Sequence, residues 1–217
     1  HPVKIDIAGT KESIAEITAE MLFSCYDTFY NLSNMALAVA GKTSVDEVLE
    51  VADRLLTADE NVTVERAFVP EPSHIVKDYV EENLPVVTPV FSFGFKESHD
   101  TPERTLQEEV AMSIILDIVA GQMSPLYKEL LDDGLVNNTF ATEYFHGYNY
   151  AAPLFSGESV NPREVAERIK KAVNELKASL ITEEQFETVR KKQYGKTVRA
   201  FSDVDTVANA LVVSHVV

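Results

Sequence analysis

The sequence predicts an α+β protein, built of repeated α/β units in which antiparallel strands pack on helices. Three observations carry this. From Val110 to Val119 only Ser113 and Asp117 are strongly polar, so a helix here is apolar nearly all round and belongs inside the protein. In Val86–Phe95, VVTPVFSFGF, the side chains of Phe91, Phe93 and Phe95 share one face at period two, as in a strand laid against that helix. Thr139–Gly157 reads as a hairpin turning near Gly147, with Phe140, Thr142 and Tyr144 on one side.

The elements follow in order. His1–Gly9 is a short extended stretch or loop. Thr18 caps a helix whose Met21, Leu22, Cys25, Tyr26 and Phe29 recur at helical spacing. Asn34–Gly41, NMALAVAG, is a compact buried strand. Ser44 and Glu47 form a capping box for a helix through Leu56. Residues 57–83 hold Pro70, Pro72, many charges and little periodicity: a connector with a short strand at Ile75–Val80. Pro89 places the phenylalanine strand at an edge or bulge. Thr101 and Pro102 open the central helix and Gly121 ends it; Ser124 and Pro125 open the next, and Gly134 suits its left-handed cap. Asn161–Pro162 starts a helix with the stripe Val165, Ile169, Ala172, Val173, Leu176 and Leu180. Thr182 with Gln185 caps another, and Asp203 or Asp205 a last one. The domain reading is residues 1–57 as the end of one α+β unit, 58–84 as connector and 85–217 as a second unit cut at its C-terminal end.

The composition, 45% hydrophobic and 25% charged over 217 residues, supports a sizeable core. The central apolar run is too short for a bilayer, which takes ~20 residues. A single cysteine, Cys25, rules out an internal disulfide, fits a reducing, cytoplasmic compartment, and reads as a small core hydrophobe. The net charge is −16, yet Asn161–Arg199 carries +4, leaving −20 on the rest. An acidic body argues against nucleic acid and membrane as partners, and the basic stretch reads as solvated helix surface.

Spacing alone reveals no active site. His1, His74, His99, His146 and His215 include no pair three or four apart, so no helix offers two imidazoles to a metal. A phosphate loop and a nucleophile elbow are absent from the sequence. His146 with Glu143, and His99 with Asp100, read as turn and loop surface. Glu108–Glu109 and Asp132–Asp133 are adjacent and point apart on a helix. The aromatics Tyr144, Phe145, Tyr148 and Tyr150 read as sheet packing, in a hairpin whose free edge suits strand addition by a peptide.

Several blocks together resemble the pitrilysin/insulinase-type zinc peptidases, the inverzincins, and their bacterial two-part members above all. In the first block the carriers are His1-Pro2, Gly9-Thr10, Ile17-Thr18, Phe29-Tyr30, Ser33-Asn34-Met35 and Gly41. GQMSPLYKELLDDGLVNNTF and ITEEQFETVRKKQYGKTVRA follow in the family's order. The resemblance implies the metallopeptidase-like fold of repeated α+β units. It also implies that zinc and its inverted H-x-x-E-H ligands, which polarise the scissile carbonyl and supply a general base, lie outside this chain, since the motif is missing here. With its non-Met start, the chain reads as an excised non-catalytic C-terminal portion of a peptide-cleaving zinc endopeptidase, the parent being roughly double in length. Its expected contributions are a chamber wall and a dimerisation surface. The expected partners are the parent's N-terminal half, a related subunit and peptide substrate.

Many members carry a substrate-contacting Arg and Tyr after the central helices; the matching positions here hold Leu131 and Asn137. That absence fits the zinc subunit of a two-subunit enzyme. Asn137 and Asn138 remain candidates for hydrogen bonding to a peptide backbone. The alternative is a zinc-less scaffold protein of the same fold; a stand-alone binding domain is disfavoured by the start and by the apolar end ALVVSHVV.

Overall fold

The computed structural model describes residues 2–57, 61–65, 67, 70–97 and 103–216. In chain order the elements are α1 Lys11–Ala15, α2 Ala19–Phe29, α3 Val45–Leu55, β1 Val90–Gly94, α4 Leu106–Ala120, α5 Pro125–Asp132, β2 Ala141–Gly147, β3 Tyr150–Glu158, α6 Pro162–Ser179, α7 Glu183–Ala200 and α8 Val204–Val216. Backbone contacts divide the chain into two compact units, His1–Val69 with Gly195–Val217, and Pro70–Tyr194. The sequence reading, 1–57, 58–84 and 85–217, ran in chain order throughout.

In the first unit the caps are those the sequence announces. Thr18 Oγ1 accepts from Met21 N, and Ser44 and Glu47 exchange both bonds of a capping box. A second box, Thr10 with Ser13, starts α1, in a stretch to which the sequence reading assigns no element. Yet the described residues of this unit form no core: Asn31 is the one buried residue among them, and α2 and α3 bury none. Residues 35–40 lie in no ladder, with Met35, Leu37 and Val39 exposed, so the expected buried strand does not form. A strand needs a partner to satisfy its backbone, and the described residues supply none. Cys25 is correspondingly exposed, not a core residue.

The second unit holds the core. Its sheet has the order β1-β3-β2, both pairs antiparallel. The register pairs Phe91 with Gly157, Phe93 with Phe155 and Tyr144 with Pro153. The helix-facing side gathers Phe91, Phe93, Phe95, Phe140 and Phe155 with Leu116, Val119 and Ala120 of α4, Leu126 and Leu130 of α5, and Val165 and Ile169 of α6. Leu130, Val165 and Ile169 are fully buried, each stabilising the unit by about 2 kcal/mol. The other side of α4, Ile114 and Ile118, packs on Val189 of α7. Covered by the sheet and by a helix, α4 is apolar all round for the reason the sequence suggested.

Two boundaries differ from expectation. α4 is capped by Thr105, boxed with Glu108, one turn after the expected start; Thr101 and Pro102 lie outside the described residues. Ile75–Val80 is irregular, not a strand. The other caps stand as read: Ser124 before Pro125, Gly134 at φ +66° with Leu135 N returning to Leu130 O, Thr182 with Gln185, and Asp203, not Asp205, accepting from Thr206 N. The hairpin turns through Tyr148 and Asn149, the latter at φ 65°.

One proline sits in the central strand. Phe95 N donates to Pro153 O at 3.2 Å and Glu97 N to Ala151 O at 3.0 Å, so residues 151 and 153 turn their backbone polar groups toward the β1 side. Pro153 has no N–H to return to Phe95, and the regular β1 ladder stops at Gly94.

Candidate functional site

The chemistry-bearing residues of the second unit gather around β2. The strand is entered from α5 through a turn built on Asn137. Its Oδ1 accepts from Thr139 N at 2.9 Å and Thr139 Oγ1 at 2.6 Å, an Asx turn, and its Nδ2 donates to Glu158 Oε2 at 2.8 Å. Thr139 Oγ1 in turn accepts from Glu158 N. The amide of Asn137 thus ties the start of β2 to the end of β3. Asn138 beside it is exposed, as is Leu131 on α5.

On the helix-facing side of β2 lies a polar cluster that sequence reasoning passed over. Tyr144 Oη donates to Glu97 Oε2 at 2.9 Å and accepts from Arg104 Nε at 3.2 Å. The Arg104 side chain is only 2% exposed, with its Nε 3.8 Å from Glu97 Oε2. A buried guanidinium requires such a carboxylate. Burial raises the Tyr144 phenol above its ordinary range; Arg104's hydrogen bond opposes the rise and Glu97 adds to it. His146 stacks on Tyr144 at 4.8 Å and turns Nδ1 to Glu109 Oε1 of α4 at 3.8 Å. Glu97 and Arg104 lie just before α4 and Tyr144 forty residues on; no local spacing marks them as a group.

The pairing of His146 with Glu143 does not occur. Three residues apart in a strand, the two point to opposite faces, and Glu143 is exposed on the side away from α4. The adjacent acids diverge as expected: Glu108 caps Thr105 while Glu109 turns to His146, and Asp133 pairs with Arg168. Phe145 and Tyr150 pack against each other at 5.2 Å, and Tyr144 joins the core cluster. His1, His99 and Asp100 lie outside the described residues. Among the described residues no three His, Cys, Asp or Glu side chains gather to hold a metal ion. No set of described residues therefore fits zinc, and no step of its chemistry is assigned to them.

Comparison with known proteins follows the fold. Residues 16–193 match the family described as the Peptidase M16 inactive domain. The uncharacterized zinc protease YmfH of Bacillus subtilis is 31% identical over 216 residues, which is 96% of this chain and 50% of that protein. The crystal structure of an M16-like peptidase from Alicyclobacillus acidocaldarius matches 98% of the chain at a TM-score of 0.85 and 34% identity. A protease from Helicobacter pylori, 17% identical, shares the fold at a TM-score of 0.77 over 96% of the chain. The chain spans 51% of each of these two structures, and so about half the length of the proteins it resembles. A three-stranded antiparallel sheet on helices, with the matched blocks running from α2 through α7 in one order, places the chain in the M16 peptidase family, in the part of it described as the inactive domain.

Proposed function

We propose that this chain is the non-catalytic portion of a zinc-dependent endopeptidase that acts on peptides in the cytoplasm. It supplies one wall of the chamber and a surface for association, while zinc and its ligands belong to the other half of the parent. The observation that carries this reading is the match of residues 16–193 to the M16 inactive domain. The association surface is supported by the first unit, where Met21, Leu22, Phe23, Tyr26 and Leu49 all stand more than half exposed on helices without buried residues. Apolar area of this kind is covered by a partner in the working protein; the parent's other half and a related subunit are the partners proposed. Asn138, with Asn137 holding its turn, borders the proposed peptide path.

The test is cleavage of a fluorogenic peptide mixture by the chain alone and by the whole parent, with zinc and with chelator. Chelator-sensitive cleavage by the parent, by itself or together with its related subunit, with the chain alone silent, supports the reading. A silent parent that folds and associates, and lacks H-x-x-E-H in its other half, replaces it with the zinc-less scaffold. Cleavage by the chain alone overturns it.

A further inference from the structure

We infer that the face of the sheet turned away from the helices carries a side-chain subsite, a depression floored by Ala152 that takes an aromatic or large aliphatic side chain of a bound peptide. The core lies on the helix-facing side of the sheet, with Phe91, Phe93 and Phe155. Alternation therefore turns Gly94, Glu143, Phe145, Tyr150, Ala152 and Leu154 to the other side, where Gly94 and Glu143 stand exposed.

Two glycines shape that face. A Cβ on Gly94 would stand 2.5 Å from Leu154 Cδ2, and one on Gly147 would stand 2.5 Å from Tyr150 Oη. Each glycine is the cross-strand partner of the residue that covers it. Leu154 is therefore laid sideways over β1, and Tyr150 sideways over β2, where the Phe145 ring meets it at 5.2 Å. Ala152, midway between them on β3, is left with only its methyl group above the strand. Phe145 stands opposite it on β2. On the other side the bonds from Phe95 N to Pro153 O and from Glu97 N to Ala151 O bring Lys96 opposite Ala152. The Lys96 ammonium is engaged by Glu71 and by the His74 carbonyl, which leaves its hydrocarbon stem as a wall. The span from Tyr150 to Leu154 is about 13 Å along the strand and that from β1 to β2 about 10 Å, room for one ring on the methyl floor.

Size and charge choose the occupant. Three strands of this length present a face of roughly 400 Å². That is about half of the ~800 Å² each partner buries in a stable protein–protein interface, and it suits one extended peptide segment. A second copy of the chain would bring two exposed Glu143 carboxylates onto one small face. Glu143 beside Phe145 likewise turns away acidic side chains, whereas a hydrocarbon side chain gains by covering Phe145, Ala152 and Leu154. The inference rests on the peptidase reading for one point, that the peptide is substrate. In that case this half of the enzyme selects substrates by a side chain while the cleavage chemistry lies elsewhere.

The experiment measures binding by fluorescence anisotropy to the whole parent, by itself and with its related subunit, with chelator present so that cleavage plays no part. The probes are three labelled ten-residue peptides of Lys, Gly and Ser that differ at one central position, which is Phe, Ser or Glu. The Phe peptide should bind about tenfold more tightly than the Ser peptide, and the Glu peptide no more tightly than the Ser peptide. Ala152→Leu fills the depression from its floor. It should bring the Phe peptide to within about twofold of the Ser peptide and leave the affinity for the Ser peptide and the circular dichroism spectrum unchanged. The second measurement uses the unaltered protein. A photoreactive benzophenone in place of the Phe ring should attach at Phe145 or within residues 150–154, as mapped by mass spectrometry of the digest. Equal binding of the Phe and Ser peptides, a preference that Ala152→Leu leaves intact, or attachment confined to other segments overturns the inference. So does an Ala152→Leu variant that no longer associates with the related subunit, since the face then serves a protein partner. The expected preference and attachment in a parent that never cleaves peptides leave the subsite standing and sink the peptidase reading. Zinc-dependent cleavage by a parent that binds the Phe and Ser peptides alike does the reverse.

Discussion

Lys192 Nζ of α7 donates to Asp117 Oδ1 of α4 at 2.7 Å, across 75 residues of sequence. One turn away Gln193 Nε2 donates to Ser113 Oγ at 3.0 Å. Ser113 and Asp117 are the two polar positions of the otherwise apolar central helix, and both are answered by adjacent residues of one neighbouring helix. The stripe they form lies beside Ile114 and Ile118, which Val189 covers. The polar pair thus orients α7 on a helix whose apolar surface would accept many orientations.

Asp117 is 16% and Lys192 23% exposed, so removing either partner leaves a largely buried charge. Asp117→Ala and Lys192→Ala should each destabilise by about 2 kcal/mol, and the double variant by clearly less than the sum. Urea unfolding of the single and double variants checks this; additive effects would remove the clamp from the account. Gly121→Ala should be harmful too, because its Cβ would overlap Asp117 Oδ1 and the Asp117 carbonyl oxygen.

Asn137→Ala removes the Asx turn and the bond to Glu158, and should lower stability by about 1–2 kcal/mol. Asn138→Ala, on an exposed neighbour, should change stability by less than about 0.5 kcal/mol. Thermal melts of both variants separate the holding role of the first from the surface position of the second.

Tyr144 should titrate late among the eight tyrosines, since its phenol is raised by burial. A group that holds its proton more tightly folded than unfolded contributes stability that is complete below the unfolded value, about 10, and is lost as pH rises through the folded one. Ultraviolet titration of phenolate absorbance should show one tyrosine ionising after the rest. Tyr144→Phe should abolish that late step and flatten the alkaline fall in stability. An unchanged titration curve in that variant would assign the late step to another tyrosine.

Leu131→Arg with Asn137→Tyr places the two missing side chain types at the matching positions. If this chain belongs to the zinc subunit of a two-subunit enzyme, the double variant should leave a lone parent inactive on peptides. Activity in that single chain would count against the division of labour.

The sequence by itself determined what depends on residues within one turn of each other. Thr18, Ser44 with Glu47, Ser124 with Pro125, Gly134 and Thr182 with Gln185 all cap as their spacing says, because a cap is a bond between neighbours. The alternation of Phe91, Phe93 and Phe95, and the three blocks that resemble one peptidase family, were legible for the same reason. Only the tertiary structure decided which far segments answer one another. It moved the start of α4 to Thr105, and spent the amide of Asn137 on Glu158. It parted His146 from Glu143 by the pleat and left residues 35–40 without a ladder. It gathered Glu97, Arg104 and Tyr144. A strand and a buried ion pair are each completed by a partner distant in the chain, and no local pattern names that partner.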